Sequence, residues 1–188
     1  MKLLSVNVAA AHERLIGQRK VLTAIDKRPV DGEVAVQPLG LAGDEQADLS
    51  VHGGLSKALY AYPSEHYAFW RTVRAQARVS GWDDTLPPGA LGENLTLEGV
   101  LEDGLHVGDR LVFPGCVLAV SEPRFPCFKF NAVMGFPQAS KLMAQSGFCG
   151  SYLAVIEPGT IAAGQNFELV PGPREVSIRE LFRARVRA

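Results

Sequence analysis

Cysteine is scarce in this sequence: the 188 residues include three, Cys116, Cys127 and Cys149, and no C-x-x-C pair. An odd number of dispersed thiols argues against a disulfide framework and against a zinc site built mainly of thiolates. Three thiols also cannot supply four ligands to an ordinary iron–sulfur cluster, so an electron-transfer partner of that kind would be a separate protein. A dominant charge is lacking too. The 19 Lys+Arg and 20 Asp+Glu leave a net charge of −1, which argues against a nucleic-acid-coating surface but permits a local basic pocket. No apolar run is long enough to cross a bilayer, and Met1–Ala11 carries no signal-peptide pattern, so the expectation is a cytoplasmic protein without a membrane partner. No G-x-G-x-x-G opens a helix after a strand, and a Rossmann-type nicotinamide or flavin site is unsupported.

What is plentiful is punctuation: 19 Gly and 12 Pro divide the chain into short apolar runs. Alternation predicts strands at Lys2–Val8, Val21–Ile25, Glu33–Leu39, Lys57–Tyr62, Glu93–Leu97, Arg110–Phe113, Val117–Ser121, Tyr152–Ile156 and Asn166–Val170. Ser64 offers an N-cap for a helix through about Ala77, with Trp70, Val73 and Ala77 on its buried stripe. Glu122–Phe130 holds two prolines and reads as a rigid, irregular segment, and Pro137–Gln145 as a short helix. A capping box, Ser177-x-x-Glu180, opens an amphipathic C-terminal helix bearing Arg179, Arg183, Arg185 and Arg187. Many short strands with few helices predict a mainly β fold, a closed or nearly closed β-barrel. The expected organisation is a barrel domain over 1–175 with residues 176–188 as a helical appendage.

Three stretches carry chemistry. In Pro123-Arg124-Phe125-Pro126-Cys127-Phe128-Lys129, the prolines restrict the backbone and two cations flank a thiol. Such cations favour thiolate, a soft metal ligand and a nucleophile, while a buried core cysteine is the plainer alternative. In Asp44 through His52-Gly53-Gly54, the paired glycines permit close approach of backbone N–H groups to an anion. His52 could serve as proton donor, hydrogen-bond partner or metal ligand, or the whole could be a solvated turn. In Gly92-Glu93-Asn94-Leu95-Thr96, the Glu93-Asn94 pair offers the acceptors and amide needed to read a guanidine-like heterocycle edge, or simply a local turn.

Together and in this order the three stretches resemble the MOSC family, the C-terminal domain of molybdenum cofactor sulfurase and its stand-alone bacterial relatives, over roughly residues 21–170. The resemblance implies a β-barrel and a molybdenum centre bound by a pterin dithiolene plus one protein thiolate. By motif position Cys127 is that metal ligand, Arg124 and Lys129 meet the cofactor's phosphate or oxo groups, and Asp44, His52, Gly53, Glu93 and Asn94 line the same pocket. Relatives reduce N-hydroxylated substrates such as hydroxylamino purines and amidoximes, or serve in cofactor sulfuration. The implied activity is a reductase of a small molecule, with Cys127 and His52 as its catalytic residues and a separate electron-donor protein. No pyridoxal phosphate site is expected, because the aminotransferase-like domain that binds it is absent. Two departures stand out: Gly164-Gln165 replaces the family's frequent Gly-Asp, and stand-alone relatives continue into a longer helical module. A cofactor or persulfide carrier, and a metal-free cysteine hydrolase using Cys127 and His52, are the competing readings.

Overall fold

A computed structural model describes residues 1–47 and 53–187. Its strands are β1 (Lys2–Val8), β2 (His12–Ile16), β3 (Arg19–Thr23), β4 (Arg28–Pro29), β5 (Glu33–Gln37), β6 (Gly40–Leu41), β7 (Leu59–Pro63), β8 (Leu95–Glu98), β9 (Arg110–Val112), β10 (Val117–Pro123), β11 (Ser151–Glu157), β12 (Gly159–Ala162) and β13 (Glu168–Val170). Its helices are α1 (Tyr67–Gln76), α2 (Phe128–Met134), α3 (Ala139–Ser146) and α4 (Ile178–Arg187). The fold is mainly β with a few helices.

One sheet dominates, in the order β13-β9-β10-β11-β7-β8-β1-β4, beside a three-stranded sheet β12-β5-β6 and the hairpin β2-β3. At its centre β7 is buried along its whole length. It runs parallel to β8, a pairing that needs a crossover, and α1 with the loop after it supplies one. A barrel closed by a continuous ladder is not found among the described residues. Backbone bonds between the start of β1 and residues 164–167, such as Leu3 N–H to Gln165 O at 2.9 Å, join the two flanks of the sheet instead.

Alternation identified strands such as β5, where Val34 and Val36 are buried between exposed neighbours, but not β12, although Ile161 enters the core. The hairpin is different. Only its second strand was expected, shifted to Val21–Ile25, because Leu15 and Leu22 both stand exposed and leave no one-sided pattern. Gly17 turns this hairpin at φ 62°, a conformation glycine adopts without steric cost.

Two helical expectations are corrected. Ser64 begins a 3-10 turn without a side-chain cap, and α1 starts only at Tyr67. Trp70 and Ala75 are its buried residues, whereas Ala77 is the exposed C-cap. The irregular segment expected over Glu122–Phe130 shrinks to residues 124–127, between the end of β10 and the start of α2. Past Pro126 the backbone is free to coil, and Phe130 and Met134, one helical turn apart, both enter the core.

Trp70 ties these pieces together. Its ring meets Phe130 edge-on at 5.2 Å and its indole N–H donates to the Tyr62 hydroxyl. Large core side chains of this kind contribute about 1.5–3 kcal/mol each. The capping box forms as read: Ser177 N–H donates to Glu180 Oε2 at 2.9 Å, and Glu180 N–H to Ser177 Oγ at 3.2 Å. Ile178 and Phe182 of α4 are buried in the common core.

Candidate active site

The segment that leaves β10 is pinned before it reaches Cys127. The Arg124 side chain turns inward, only 4% of the residue remaining exposed. Its guanidinium lies 5.0 Å from the centre of the Tyr60 ring and 4.7 Å from that of Phe130. These cation–π contacts partly replace lost water. Among the described residues no carboxylate pairs with it. Tyr152 does hydrogen-bond to it, and burial pushes that phenol's pKa up while the Arg124 charge pulls it down.

Cys127 follows in extended conformation, half-buried, at the start of α2. Its backbone carbonyl accepts from Phe130 N–H at 2.9 Å and from the Ser140 hydroxyl at 3.1 Å. The side chain opens on a cavity of about 110 Å³. Lys129 reaches the same cavity while donating to Leu22 O at 3.2 Å, so the hairpin is tied to the cysteine-bearing helix.

The opposite wall is built by Asp44 and Asn94. The Asn94 side chain accepts from Tyr60 N–H at 3.0 Å and donates to Asn7 O at 3.2 Å and Asp44 Oδ2 at 2.8 Å. Asp44 Oδ1 accepts from Ala9 N–H at 2.9 Å and pairs with the Lys27 ammonium. Gly53 lines the cavity as well. Cys127, Arg124, Lys129, Asp44, Gly53 and Asn94, spread over more than eighty positions of sequence, therefore share one cavity.

Two expected site residues are not among these six. His52 lies outside the described residues. Glu93 is fully buried and does not line the cavity; it faces the loop before it and α1. Its carboxylate accepts from Gly89 N–H at 2.8 Å, Leu91 N–H at 3.0 Å, the Thr96 hydroxyl at 3.1 Å and the Tyr67 hydroxyl. Burial pushes the Glu93 pKa up, against the pull of these donors.

Glu93 thereby holds the loop that brings Gly92 against Ile25. A Cβ at Gly92 would come within 2.7 Å of Ile25 Cγ1, and its φ of 86° also favours glycine. Glu93→Gln must aim an amide N–H at one of the donors, and a loss of about 1–3 kcal/mol is expected. The measurement is a lower urea midpoint with an unchanged slope. Undiminished stability would mean that the buried charge costs the fold as much as its hydrogen bonds contribute.

Sequence reasoning missed Lys27, Lys57, Tyr60 and Tyr152, all cavity-lining. Lys57 lies 3.7 Å from Glu122 and above the Tyr152 ring. Nothing local distinguishes these residues from ordinary strand and turn positions. Their signal is spatial: four cationic side chains, Lys27, Lys57, Arg124 and Lys129, converge on a cavity that a cysteine also faces.

The MOSC domain model matches residues 48–168. The chain is 38% identical over 159 residues to Protein YiiM of Escherichia coli, covering 84% of this chain and 68% of that protein. It is 33% identical over 171 residues to a protein of Gibberella moniliformis named Reductase, spanning 88% of this chain and 29% of that longer protein. The crystal structure of YiiM from Geobacillus stearothermophilus superposes with a TM-score of 0.77 at 32% identity, covering 98% of this chain and 83% of that one.

Proposed function

The chain belongs to the MOSC domain family, and from that premise we propose that it binds a molybdenum–pterin cofactor in the cavity and reduces N-hydroxylated small molecules. The observation that carries this reading is the half-buried Cys127 facing a cavity ringed by cations. The name of the Gibberella moniliformis relative, Reductase, supports the reaction class.

The residues present fit the cofactor. No group of three or more His, Cys, Asp or Glu side chains among the described residues could hold a metal alone. A metal that brings dithiolene sulfurs of its own asks the protein for one soft ligand, and Cys127 can supply it. Arg124, enclosed and without a carboxylate partner among the described residues, suits the cofactor's anionic groups, and Lys129 and Lys57 add charge at the same cavity. Gly53 lets backbone N–H groups come close to an anion. When bound, the cofactor supplies two-electron redox chemistry. The chain's own part is to hold it through Cys127 and these cations, to orient the substrate against the Asp44–Asn94 wall, and to provide protons.

No helix among the described residues is long and apolar enough to cross a membrane, and a small diffusible substrate is in keeping with the cavity's size. Three thiols cannot form a Cys₄ cluster, and in this reading a separate donor protein supplies the electrons.

The test is protein purified from a host that makes the cofactor. We expect stoichiometric molybdenum and turnover of a hydroxylamine with a reduced viologen or a reduced electron-transfer protein. NADH or NADPH alone should give negligible activity; robust turnover on them would reveal a cofactor site in the chain itself. Full molybdenum without turnover by any donor would replace the reductase with the carrier, and metal-free activity through an acyl intermediate would replace both with the hydrolase.

A further inference from the structure

We propose that Lys27 is a catalytic proton donor: its ammonium, braced by Asp44 at the cavity wall, protonates the oxygen that leaves an N-hydroxyl group during reduction. The proposal rests on the reductase reading and assigns a residue to the step that reading leaves open.

The pair is enclosed, with the Lys27 side chain 9% and the Asp44 side chain 6% exposed, and both residues line the cavity. Asp44 cannot swing away. Ala9 N–H and Asn94 Nδ2 hold its two oxygens at 2.9 and 2.8 Å. Among the described residues Asp44 is the only hydrogen-bond acceptor of the Lys27 ammonium. An ammonium carries three N–H donors, so a buried one with a single protein acceptor has donors left for a ligand.

The alternatives around the cavity are less suitable. Arg124 does not release protons at any ordinary pH. The Tyr60 hydroxyl is turned to Cys149 O at 2.9 Å, and burial pushes its pKa well up. Lys57 and Lys129 are only half-buried, Lys57 with 26% of its side chain exposed beside Glu122, so neither ammonium is enclosed as that of Lys27 is. Burial pulls the Lys27 pKa down, with Asp44 and Glu93 opposing. Arg124, Lys57 and Lys129 are the cations that share the cavity with it. A lowered ammonium pKa suits a general acid, which works best when its pKa approaches the working pH.

The balance is simple. Two electrons, which a separate donor protein would supply, enter as the N–O bond breaks. The departing oxygen takes the Lys27 proton and leaves as water, the nitrogen takes a second proton from solvent, and neutral Lys27 is reprotonated from solvent.

Lys27→Arg preserves a cation for Asp44 but removes a releasable proton. For holoprotein with a hydroxylamine substrate and a reduced viologen, we expect kcat per bound molybdenum to fall by about 10²–10⁴-fold. Molybdenum content and KM should change little. A variant with wild-type kcat per metal overturns the proposal while the reductase reading stands. A loaded wild-type protein that reduces no hydroxylamine overturns both. A second readout needs neither turnover nor a variant: an NMR titration of the assigned Lys27 Nζ in the full chain without cofactor. A midpoint below those of the other lysines is expected, and one at or above them overturns the proposal.

Discussion

Cys127→Ser is expected to fold like the wild type yet emerge without molybdenum and with at least a hundredfold less reductase activity, on the scale of losing a metal ligand's immediate support. The structural duties at this position belong to the backbone: the Cys127 carbonyl accepts from Phe130 N–H and the Ser140 hydroxyl, and serine keeps both bonds. The side chain is half-buried, and a one-atom exchange there should shift stability by no more than about 0.5 kcal/mol. What changes is ligand chemistry, since a hydroxyl is harder and far less acidic than a thiol. The other two cysteines provide the contrast. Cys116 and Cys149 are buried, and burial pushes the Cys116 thiol up to about 11 and the Cys149 thiol up as well. Their serine variants should lose stability, from burying a hydroxyl, and keep metal. Metal analysis and thermal melting of the three variants side by side decide the matter. Stoichiometric molybdenum and full turnover in Cys127→Ser would remove this residue from the metal site.

Arg124→Met should separate cofactor retention from stability in the opposite sense. A buried guanidinium, lacking a carboxylate partner among the described residues, costs the protein desolvation that the contacts with Tyr60 and Phe130 recover only in part. Methionine fills similar space without charge. The apo-protein is therefore expected to melt at an unchanged or higher temperature. Cofactor retention should weaken by about tenfold to a hundredfold, the equivalent of ~1.5–3 kcal/mol for a hydrogen bond to a charged group. Differential scanning calorimetry of apo-protein, together with molybdenum content after dilution and dialysis, measures both. A destabilised apo-protein that retains its cofactor would make Arg124 a structural residue, valued for its packing and its bond to Tyr152.

Both variants lie in Pro123–Lys129, the part of the site most legible in the sequence. There the chemistry is contiguous: prolines, cations and thiol are neighbours, and backbone restriction acts over one or two residues. Strands with one buried face, such as β1, β5 and β10, were legible for a similar reason, because side chains alternate with a period of two. The family resemblance, carried by the same local motifs, matched the family found by comparison.

What only the tertiary structure decided involves pairs distant in sequence or elements held by packing alone. The Lys27–Asp44 pair spans 17 positions and forms because two loops meet at one wall, which no local pattern encodes. Helix α2 begins past the last proline and is fixed by burial of Phe130 and Met134, Phe130 against Trp70. The flanks of the main sheet meet through the start of β1 and residues 164–167, and a count of strands could not say that this junction is a few backbone bonds. Glu93 and Asn94 are the sharpest case. Both residues were assigned to the pocket from sequence, yet they precede β8, where no strand alternation fixes the side each one faces. The loop donors of Gly89 and Leu91 hold Glu93 in the core, while Tyr60 N–H, Asn7 O and Asp44 Oδ2 hold the Asn94 side chain at the cavity.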